Sequence, residues 1–240
     1  MFHEQDRPEP APSAQPVEQS QLAADEAARR RVQEFDASLL DCEHTGNTAA
    51  ENTAVDRSVG IMDQWERDQD PAARRKMLEG VGREMMDVHE APPAPTVARD
   101  MPPTDRGAYH DLEFSTDLNR KQLEQDDPKG ALETYLHEYR HAEQHYEIQK
   151  SQMALAHETD ADRAAAMEYN RDHYMDGHKD FDAYKQQLME VDARQFAAET
   201  AGEILQRRER LHDAGPDEAL YGSDADRIAR ERLLAEGERR

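Results

Sequence analysis

The sequence is poor in cysteine and has no long hydrophobic run, and each shortage excludes a class of protein. Cys42 is the only cysteine among 240 residues, so neither an internal disulfide nor a four-cysteine zinc site can form. No apolar run approaches the roughly 20 residues that a membrane-spanning helix needs. Residues 1–21 lack the basic and apolar regions of a Sec signal peptide. We therefore expect a cytoplasmic protein, or one translocated by a specialised secretion system.

Positive charge and apolar side chains are also scarce. The chain has 30 lysines and arginines against 53 aspartates and glutamates, which gives a formal net charge of −23. Such an acidic surface repels phosphate, so we expect neither nucleic acid nor membrane as a partner. Hydrophobic residues make up 36% of the chain, against about 45–50% in typical soluble proteins. Part of the chain is therefore expected to be disordered or exposed helix.

Composition divides the chain into three parts. Residues 1–58 are acidic and polar, which predicts a largely disordered arm with a weak helix over 21–40 and a loop over 41–56. Residues 59–212 carry the periodic apolar pattern and form the predicted domain. Residues 213–240 predict a charged tail.

The apolar pattern of this domain is mostly helical, with one short region that is typical of strands. The predicted helices cover 59–89, 131–156, about 159–175 and 180–211. The proline-rich segment 91–103 is either a linker or holds a short edge strand at 96–98. Residues 107–118 have a strand signature in Tyr109, Leu112, Phe114 and Thr116, with a turn near His110 and Asp111. Pro71 marks a helix boundary or a first helical turn. The predicted fold class is therefore α+β, mostly helical, with a small edge-exposed sheet.

One motif in the third predicted helix points to chemistry. Residues 137–141 read His-Glu-Tyr-Arg-His, which places His137 and His141 one turn apart on the same helix face. Two imidazoles at this spacing can share a zinc ion. Glu138 then lies beside the ion, where a carboxylate can accept a proton from water and return it to a leaving amine.

Zinc in a catalytic site needs a third protein ligand besides these two histidines. His145 lies one turn further along, but one straight helix does not easily bring three imidazoles that span eight residues to a single ion. Its expected role is that of a surface or supporting histidine. The remaining candidates along the chain are Glu158, Asp162, His173, His178, Glu190 and Asp192.

Two histidines on the face of an acidic helix are also typical of an ordinary solvated surface. The alternative hypothesis is therefore a non-enzymatic, acidic helical interaction or adaptor protein. A third hypothesis is a protein that binds zinc but does not cleave, and the presence of Glu138 argues against it.

The segments HEYRHAEQ (137–144) and EVDARQFAAE (190–199) together resemble zincin metallopeptidases of the gluzincin type. In ImmA/IrrE-type peptidases the third-ligand helix commonly reads Glu-x-x-Ala-x-x-Phe-Ala. In zincin-like domains of polymorphic toxins and phage-associated proteins the pattern Tyr-x-x-Gln-x-x-Glu-x-Asp-Ala recurs. In this chain the second pattern consists of Tyr184, Gln187, Glu190, Asp192 and Ala193. The resemblance covers about residues 107–200.

The resemblance implies a set of roles for these residues. His137, His141 and Glu190 would hold Zn²⁺, and Glu138 would be the catalytic base and acid. Asp192 would orient a ligand histidine through its ring N–H group. The implied activity is zinc-dependent hydrolysis of peptide bonds in a protein substrate. The sheet would lie over the active-site helix, and the peptide would add as a strand along an exposed edge near 112–117.

The transition state of such a reaction needs a cationic or phenolic group to stabilise the negative oxygen. The candidates for this role are His173, Tyr174, His178 and Tyr184. Two biological settings fit the implied activity, namely a bacterial effector or toxin and an intracellular regulatory protease. The expected partners are a protein or peptide substrate and an inhibitor, immunity or secretion partner.

Overall fold

The part of the chain that this computed structural model describes comprises residues 48–89, 91–153, 158–177 and 179–213, without the side chains of Asp87 and of 158–162. All of these residues belong to one of the two contact units of the chain, Cys42–Arg240. The predicted weak helix over 21–40 and the predicted charged tail lie outside the described residues.

Seven helices and three strands make up the described residues. In chain order they are α1 (Ala49–Met62), α2 (Pro71–His89), β1 (Thr96–Arg99), β2 (Gly107–His110), β3 (Ser115–Asn119), α3 (Arg120–Leu123), α4 (Lys129–Gln152), α5 (Glu158–Asp172), α6 (Phe181–Lys185) and α7 (Leu188–Asp213). The prediction of a mostly helical α+β fold is confirmed. Among the described helices, none combines the length and the apolar character that a membrane span needs.

Helix α1 begins earlier than the sequence pattern suggested. Its start is a capping box, in which the Thr48 hydroxyl accepts from the Glu51 backbone N–H and the Glu51 carboxylate accepts from the Thr48 backbone N–H. Val55 and Val59 then lie one turn apart and are buried in the core. The predicted loop over 41–56 is therefore wrong from Ala49 onwards, and the predicted start of the domain falls inside α1.

Two other long helical predictions are interrupted. Pro71 is the first residue of α2, as expected of a proline that cannot continue a preceding helix. The predicted helix over 180–211 is wrong in being continuous, because it breaks after Lys185 into α6 and α7. The break has a tertiary cause: the side-chain oxygen of Asn170, on α5, accepts the Met189 backbone N–H at 2.8 Å and so caps the start of α7.

The three strands form one mixed sheet in the order β1-β3-β2. Strand β1 pairs with β3 in parallel, and β2 pairs with β3 antiparallel, so β3 is the central strand. The prediction that residues 112–117 offer an exposed edge is therefore wrong, since β3 has a partner on each side. Strand β2 is the edge strand beside α4, and the described residues place no further strand next to it.

The hydrogen-bond phase of β2 decides which of its backbone groups are free. The Asn119 N–H donates to the Arg106 carbonyl at 2.8 Å. In this register, the backbone groups of residues 106, 108 and 110 are the ones directed at β3 for hydrogen bonding. Because antiparallel pairs alternate, the N–H and C=O groups of Gly107 and Tyr109 point away from β3. These groups face the cleft above α4.

The main core holds the two longest helices together. Helices α4 and α7 pack along each other, and α1, α2 and the sheet close the core around them. Leu136 of α4 and Phe196 of α7 are fully buried, with Trp65 beyond the end of α1. Burying a large apolar side chain contributes about 1.5–3 kcal/mol, so this packing fixes the distance between the two helices. The packing thereby also fixes the relative positions of the residues on the facing turns of α4 and α7.

Candidate metal centre

Helix α4 presents both histidines of the motif on one face. The Nε2 atoms of His137 and His141 are 3.1 Å apart, and their rings meet edge to face. Both rings are largely buried, with exposed side-chain fractions of 17% and 10%. The spacing of four residues in the sequence thus converges on a single point beside the helix.

The first turn of α7 brings Glu190 to the same point. Its Oε1 atom lies 3.3 Å from His141 Nε2, and its Oε2 atom lies 3.4 Å from His137 Nε2. One ligand atom from each of the three residues lies within 4.8 Å of the others. Glu190 comes 49 residues after His141 in the sequence, so only the packing of α7 on α4 joins them.

The separations of these atoms fit a zinc ion. Ligand atoms about 2.0–2.1 Å from zinc in a tetrahedral arrangement lie about 3.3 Å from one another. The three measured separations are 3.1, 3.3 and 3.4 Å. Two imidazole nitrogens and one carboxylate are also a donor set that zinc prefers. The two contacts of Glu190 with the histidines use different carboxylate oxygens, and one ligand atom from each residue lies within 4.8 Å of the others, so the three side chains could hold the ion. The role of each residue as a ligand remains a prediction.

Charge at the centre favours an ionised carboxylate. Burial by itself would raise the pKa of Glu190, but hydrogen bonds from the His137 and His141 imidazoles outweigh it and hold this pKa well below its usual range. The pKa of His141 is raised, because its interaction with Glu190 outweighs the opposing effect of burial. An ionised glutamate is the form that binds a metal.

Glu138 lies beside this cluster and under the edge strand. Burial raises the pKa of its carboxyl group, while the neighbouring histidines and a hydrogen bond from the Tyr109 backbone oppose the rise. A carboxyl group with a raised pKa suits proton transfer near neutrality. Gly107 permits this close approach: a β-carbon there would lie 3.1 Å from Glu138 Oε1 and 2.7 Å from the Thr134 methyl carbon.

Gln144 orients the imidazole of His141. The Nδ1 atom of His141 lies 2.9 Å from Gln144 Oε1, and the Gln144 amide donates to Asp192 Oδ2 at 2.7 Å and to the Met189 carbonyl at 3.0 Å. Asp192 was predicted to orient a ligand histidine, and the structure places Gln144 between them. Such a bond fixes the ring so that Nε2 points at the cluster.

A buried arginine fixes Asp192, the carboxylate to which the Gln144 amide donates. Arg140 donates to both carboxylate oxygens of Asp192, at 2.7 and 3.1 Å, and lies 2.7 Å from Glu143 Oε2. Its side chain is 2% exposed. Sequence reasoning missed both Arg140 and Gln144. The signals for Gln144 were its place at the end of the HEYRHAEQ segment and its position three residues after His141, on the same helix face.

Two of the four predicted oxyanion donors reach the cluster. The Tyr174 hydroxyl donates to Glu190 Oε1 at 2.6 Å, and the Tyr184 ring packs edge to face against the Tyr174 ring, with centroids 5.9 Å apart. Burial and the negative charge of Glu190 raise the pKa of both phenols, so both remain protonated donors. His173 instead lies on the surface against the Tyr169 carbonyl, at 2.9 Å, and His178 lies outside the described residues.

The other candidates for the third ligand lie elsewhere or are not described. The side chains of Glu158 and Asp162 fall outside the described residues. His145 is half-buried beside Tyr109, with ring centroids 5.2 Å apart, and burial lowers its pKa to about 4. His145 is thus a neutral ring at one end of the cleft, and its expected role as a surface or supporting histidine remains a prediction.

An open cleft passes over the cluster along β2. On one side it has a volume of about 350 Å³ and reaches His145 and Arg171. On the other side it widens to about 1340 Å³ and reaches Arg106 and Phe181. Both parts share β2 residues with His137, Glu138, Glu190 and the two tyrosines. The cleft therefore continues on both sides of the candidate metal centre.

Comparisons of the chain with known protein families, with curated proteins and with solved structures find no match. The function inferred for the cluster therefore rests on its own geometry and on the sequence motifs. Three further features bear on what the cluster can do. They are the negative charge of the chain, the cleft above the cluster and the edge strand β2.

Proposed function

We propose that this protein is a zinc-dependent metallopeptidase that hydrolyses peptide bonds within a protein substrate. The observation that carries the proposal is the convergence of His137, His141 and Glu190 at separations of 3.1–3.4 Å, with the Glu138 carboxylate beside them. A structural ion would need a fourth protein ligand, whereas within the described part of the chain the cluster consists of these three, beside the cleft. Three protein ligands and one open position are the feature that catalytic zinc sites share.

Each residue of the cluster has a distinct task in this proposal. When bound, the zinc ion would polarise a water molecule and the carbonyl group of the substrate. Glu138 accepts the proton of the attacking water and returns it to the leaving amine. His137, His141 and Glu190 hold the ion, and Gln144 keeps His141 in the tautomer whose Nε2 lone pair faces it.

The Tyr184 phenol is placed to stabilise the negative oxygen that develops on the substrate, whereas the O–H group of Tyr174 is donated to Glu190. Both line the cleft on each side of the cluster, and both remain protonated. A neutral O–H donor in a partly buried site stabilises developing charge at little reorganisation cost. Tyr184 supports the proposal where His173 does not, since the His173 ring is bonded to a surface carbonyl.

The substrate would lie as an extended strand along β2. The Tyr109 N–H is already bonded to Glu138, so the free groups are the N–H and C=O of Gly107 and the C=O of Tyr109. Backbone pairing at a strand edge recognises an extended chain with little regard to its side chains. Because the cleft formed by the described residues continues on both sides of the cluster, cleavage inside a chain is expected rather than removal of a terminal residue.

Removal and return of the metal tests the proposal. We expect the wild-type protein to cleave denatured casein, to lose this activity after treatment with a zinc chelator, and to regain it with zinc but not with magnesium, whose oxygen preference this donor set does not meet. Cleavage that survives the chelator would contradict a metal mechanism. Tight zinc binding without cleavage of any peptide would favour the non-cleaving hypothesis, and absence of zinc binding would favour the adaptor protein.

A further inference from the structure

The Tyr174 phenol reaches Glu190 from a segment that packs little against the rest of the protein. Tyr174 and Met175, in the connection between α5 and α6, have exposed fractions of 49% and 44%. Packing of their side chains alone would leave this connection loosely held. The 2.6 Å hydrogen bond from Tyr174 to Glu190 therefore requires another anchor.

The anchor is the side-chain amide of Gln187, which lies at the break between α6 and α7. Its Oε1 atom accepts from the Met175 backbone N–H at 2.7 Å, and its Nε2 atom donates to the Met175 carbonyl at 3.0 Å. This pair of bonds resembles one rung of a β-sheet. Since Met175 follows Tyr174 directly, the amide fixes the backbone from which the phenol extends.

The side-chain amide of Gln187 forms two further hydrogen bonds. Nε2 donates a second bond to the Tyr184 carbonyl at 3.2 Å, and Oε1 accepts a second bond from the Asn170 amide at 3.2 Å. Asn170 is buried, and its own oxygen caps Met189, the residue before Glu190. One connected set of amide bonds thus holds both partners of the Tyr174–Glu190 contact. We call Asn170 and Gln187 the amide clasp.

We propose that Gln187, through the amide clasp, is a positioning residue that holds the Tyr174 phenol against the third metal ligand. The inference rests on the proposed metal centre, and it assigns a role to Gln187 that the sequence motif alone did not. Amides do not titrate, so the clasp holds its geometry at any pH at which the fold persists. A carboxylate ligand fixed by a hydrogen bond keeps its lone pairs directed at the ion.

The test is a double-mutant cycle on zinc affinity, measured by competition with a chromophoric zinc chelator. We expect Gln187→Ala and Tyr174→Phe each to weaken zinc binding about 10–100-fold, as losses of supporting hydrogen bonds do. The double variant should be no weaker than the weaker single variant, because both changes remove the same contact. The matched control is Gln195→Ala on α7, whose side-chain amide donates to the exposed Glu199 at 2.9 Å, and it should bind zinc like wild type.

Three outcomes would overturn the clasp, and a fourth would bear on hydrolysis alone. Wild-type affinity in Gln187→Ala would show that the amide does not position Tyr174. Losses that multiply in the double variant would show that Gln187 acts by another route. Absence of zinc from the wild type would overturn both the clasp and the metal centre. Zinc binding with the expected pattern but no cleavage of any peptide would refute hydrolysis alone and still support the clasp.

A second variant guards against misfolding of Gln187→Ala. Gln187→Met keeps the length of the side chain and removes all four hydrogen bonds, so it leaves a smaller void. We expect the same loss of zinc affinity from it, and faster amide hydrogen exchange at Met175 than in the control variant. Unchanged exchange and unchanged zinc affinity in Gln187→Met would contradict the inference.

Discussion

A glutamine in place of Glu138 should strongly slow peptide hydrolysis and leave zinc binding intact. The substitution keeps the shape of the side chain but removes its ability to accept a proton. Glu138 is buried beside the cluster, and its raised pKa suits the transfer of a proton near neutrality. Loss of a general base typically lowers the rate about 10²–10⁴-fold. The check is the rate at which enzyme fully loaded with zinc cleaves casein, measured together with the metal content of each variant.

The matched control for this experiment is Glu199→Gln, an exposed glutamate on α7 that faces away from the cleft lining. Its rate should equal that of the wild type. Full activity in Glu138→Gln would assign the proton transfer to another group. Loss of zinc together with activity would show that Glu138 contributes to holding the metal centre rather than to proton transfer.

Replacing Arg140 with methionine should lower the free energy of unfolding by about 3–5 kcal/mol. Methionine fills much of the same volume but removes the guanidinium shared by two buried carboxylates, Asp192 and Glu143. These carboxylates then keep the more distant Arg163, at 3.5 Å, and His89, at 3.1 Å, respectively. Arg140 and Glu143 are at most 3% exposed, so water cannot replace the lost partner. Urea unfolding followed by circular dichroism measures the change.

A surface ion pair provides the control for that change. Arg120 and Asp100 lie 3.3 Å apart with exposed fractions of 47% and 85%, so Arg120→Met should change stability by less than about 1 kcal/mol. Equal effects of the two substitutions would contradict a special role for Arg140. A stability gain in Arg140→Met would show that desolvation of this charge cluster exceeds its attraction.

The parts of the fold that follow from local sequence were predictable. The α-helical face that holds His137 and His141 depends only on a spacing of four residues within an uninterrupted helix. Pro71 at the first turn of α2 and the strand signature within 107–118 depend on neighbours in the chain in the same way, although Leu112 and Phe114, predicted to lie in a strand, are in the turn between β2 and β3. Local rules of propensity and spacing are sufficient for such features.

Features set by contacts between distant residues were not predictable in this way. Glu190 was chosen by resemblance, because no local rule connects it to a motif 49 residues earlier. The order of the strands, which makes β3 central, depends on a parallel crossover that the strand pattern does not encode. The break before α7 depends on a cap from Asn170, on a different helix. Tertiary hydrogen bonds decide each of these.

The sequence signal for Gln144 and Gln187 was present but had no stated physical meaning. Gln187 belongs to the pattern that resembles toxin zincin-like domains, and the structure connects it to Met175 and thereby to Tyr174. Gln144 belongs to the helix motif and supports His141. Amide side chains pair with whatever polar groups the fold brings near them, so their roles appear only with the tertiary structure.

The metal content of purified protein tests the central claim most directly, and zinc should be measured in wild type, His141→Ala, Glu190→Ala and the control Glu199→Ala. Catalytic zinc sites use three protein ligands, so we expect about one zinc per chain in the wild type and the control, and loss of zinc in both ligand variants. Zinc kept in Glu190→Ala but lost in His141→Ala would place the third ligand elsewhere, with Asp162 and Glu158 the next residues to replace. A wild type without zinc, even after reconstitution, would contradict the metallopeptidase and favour the acidic interaction protein.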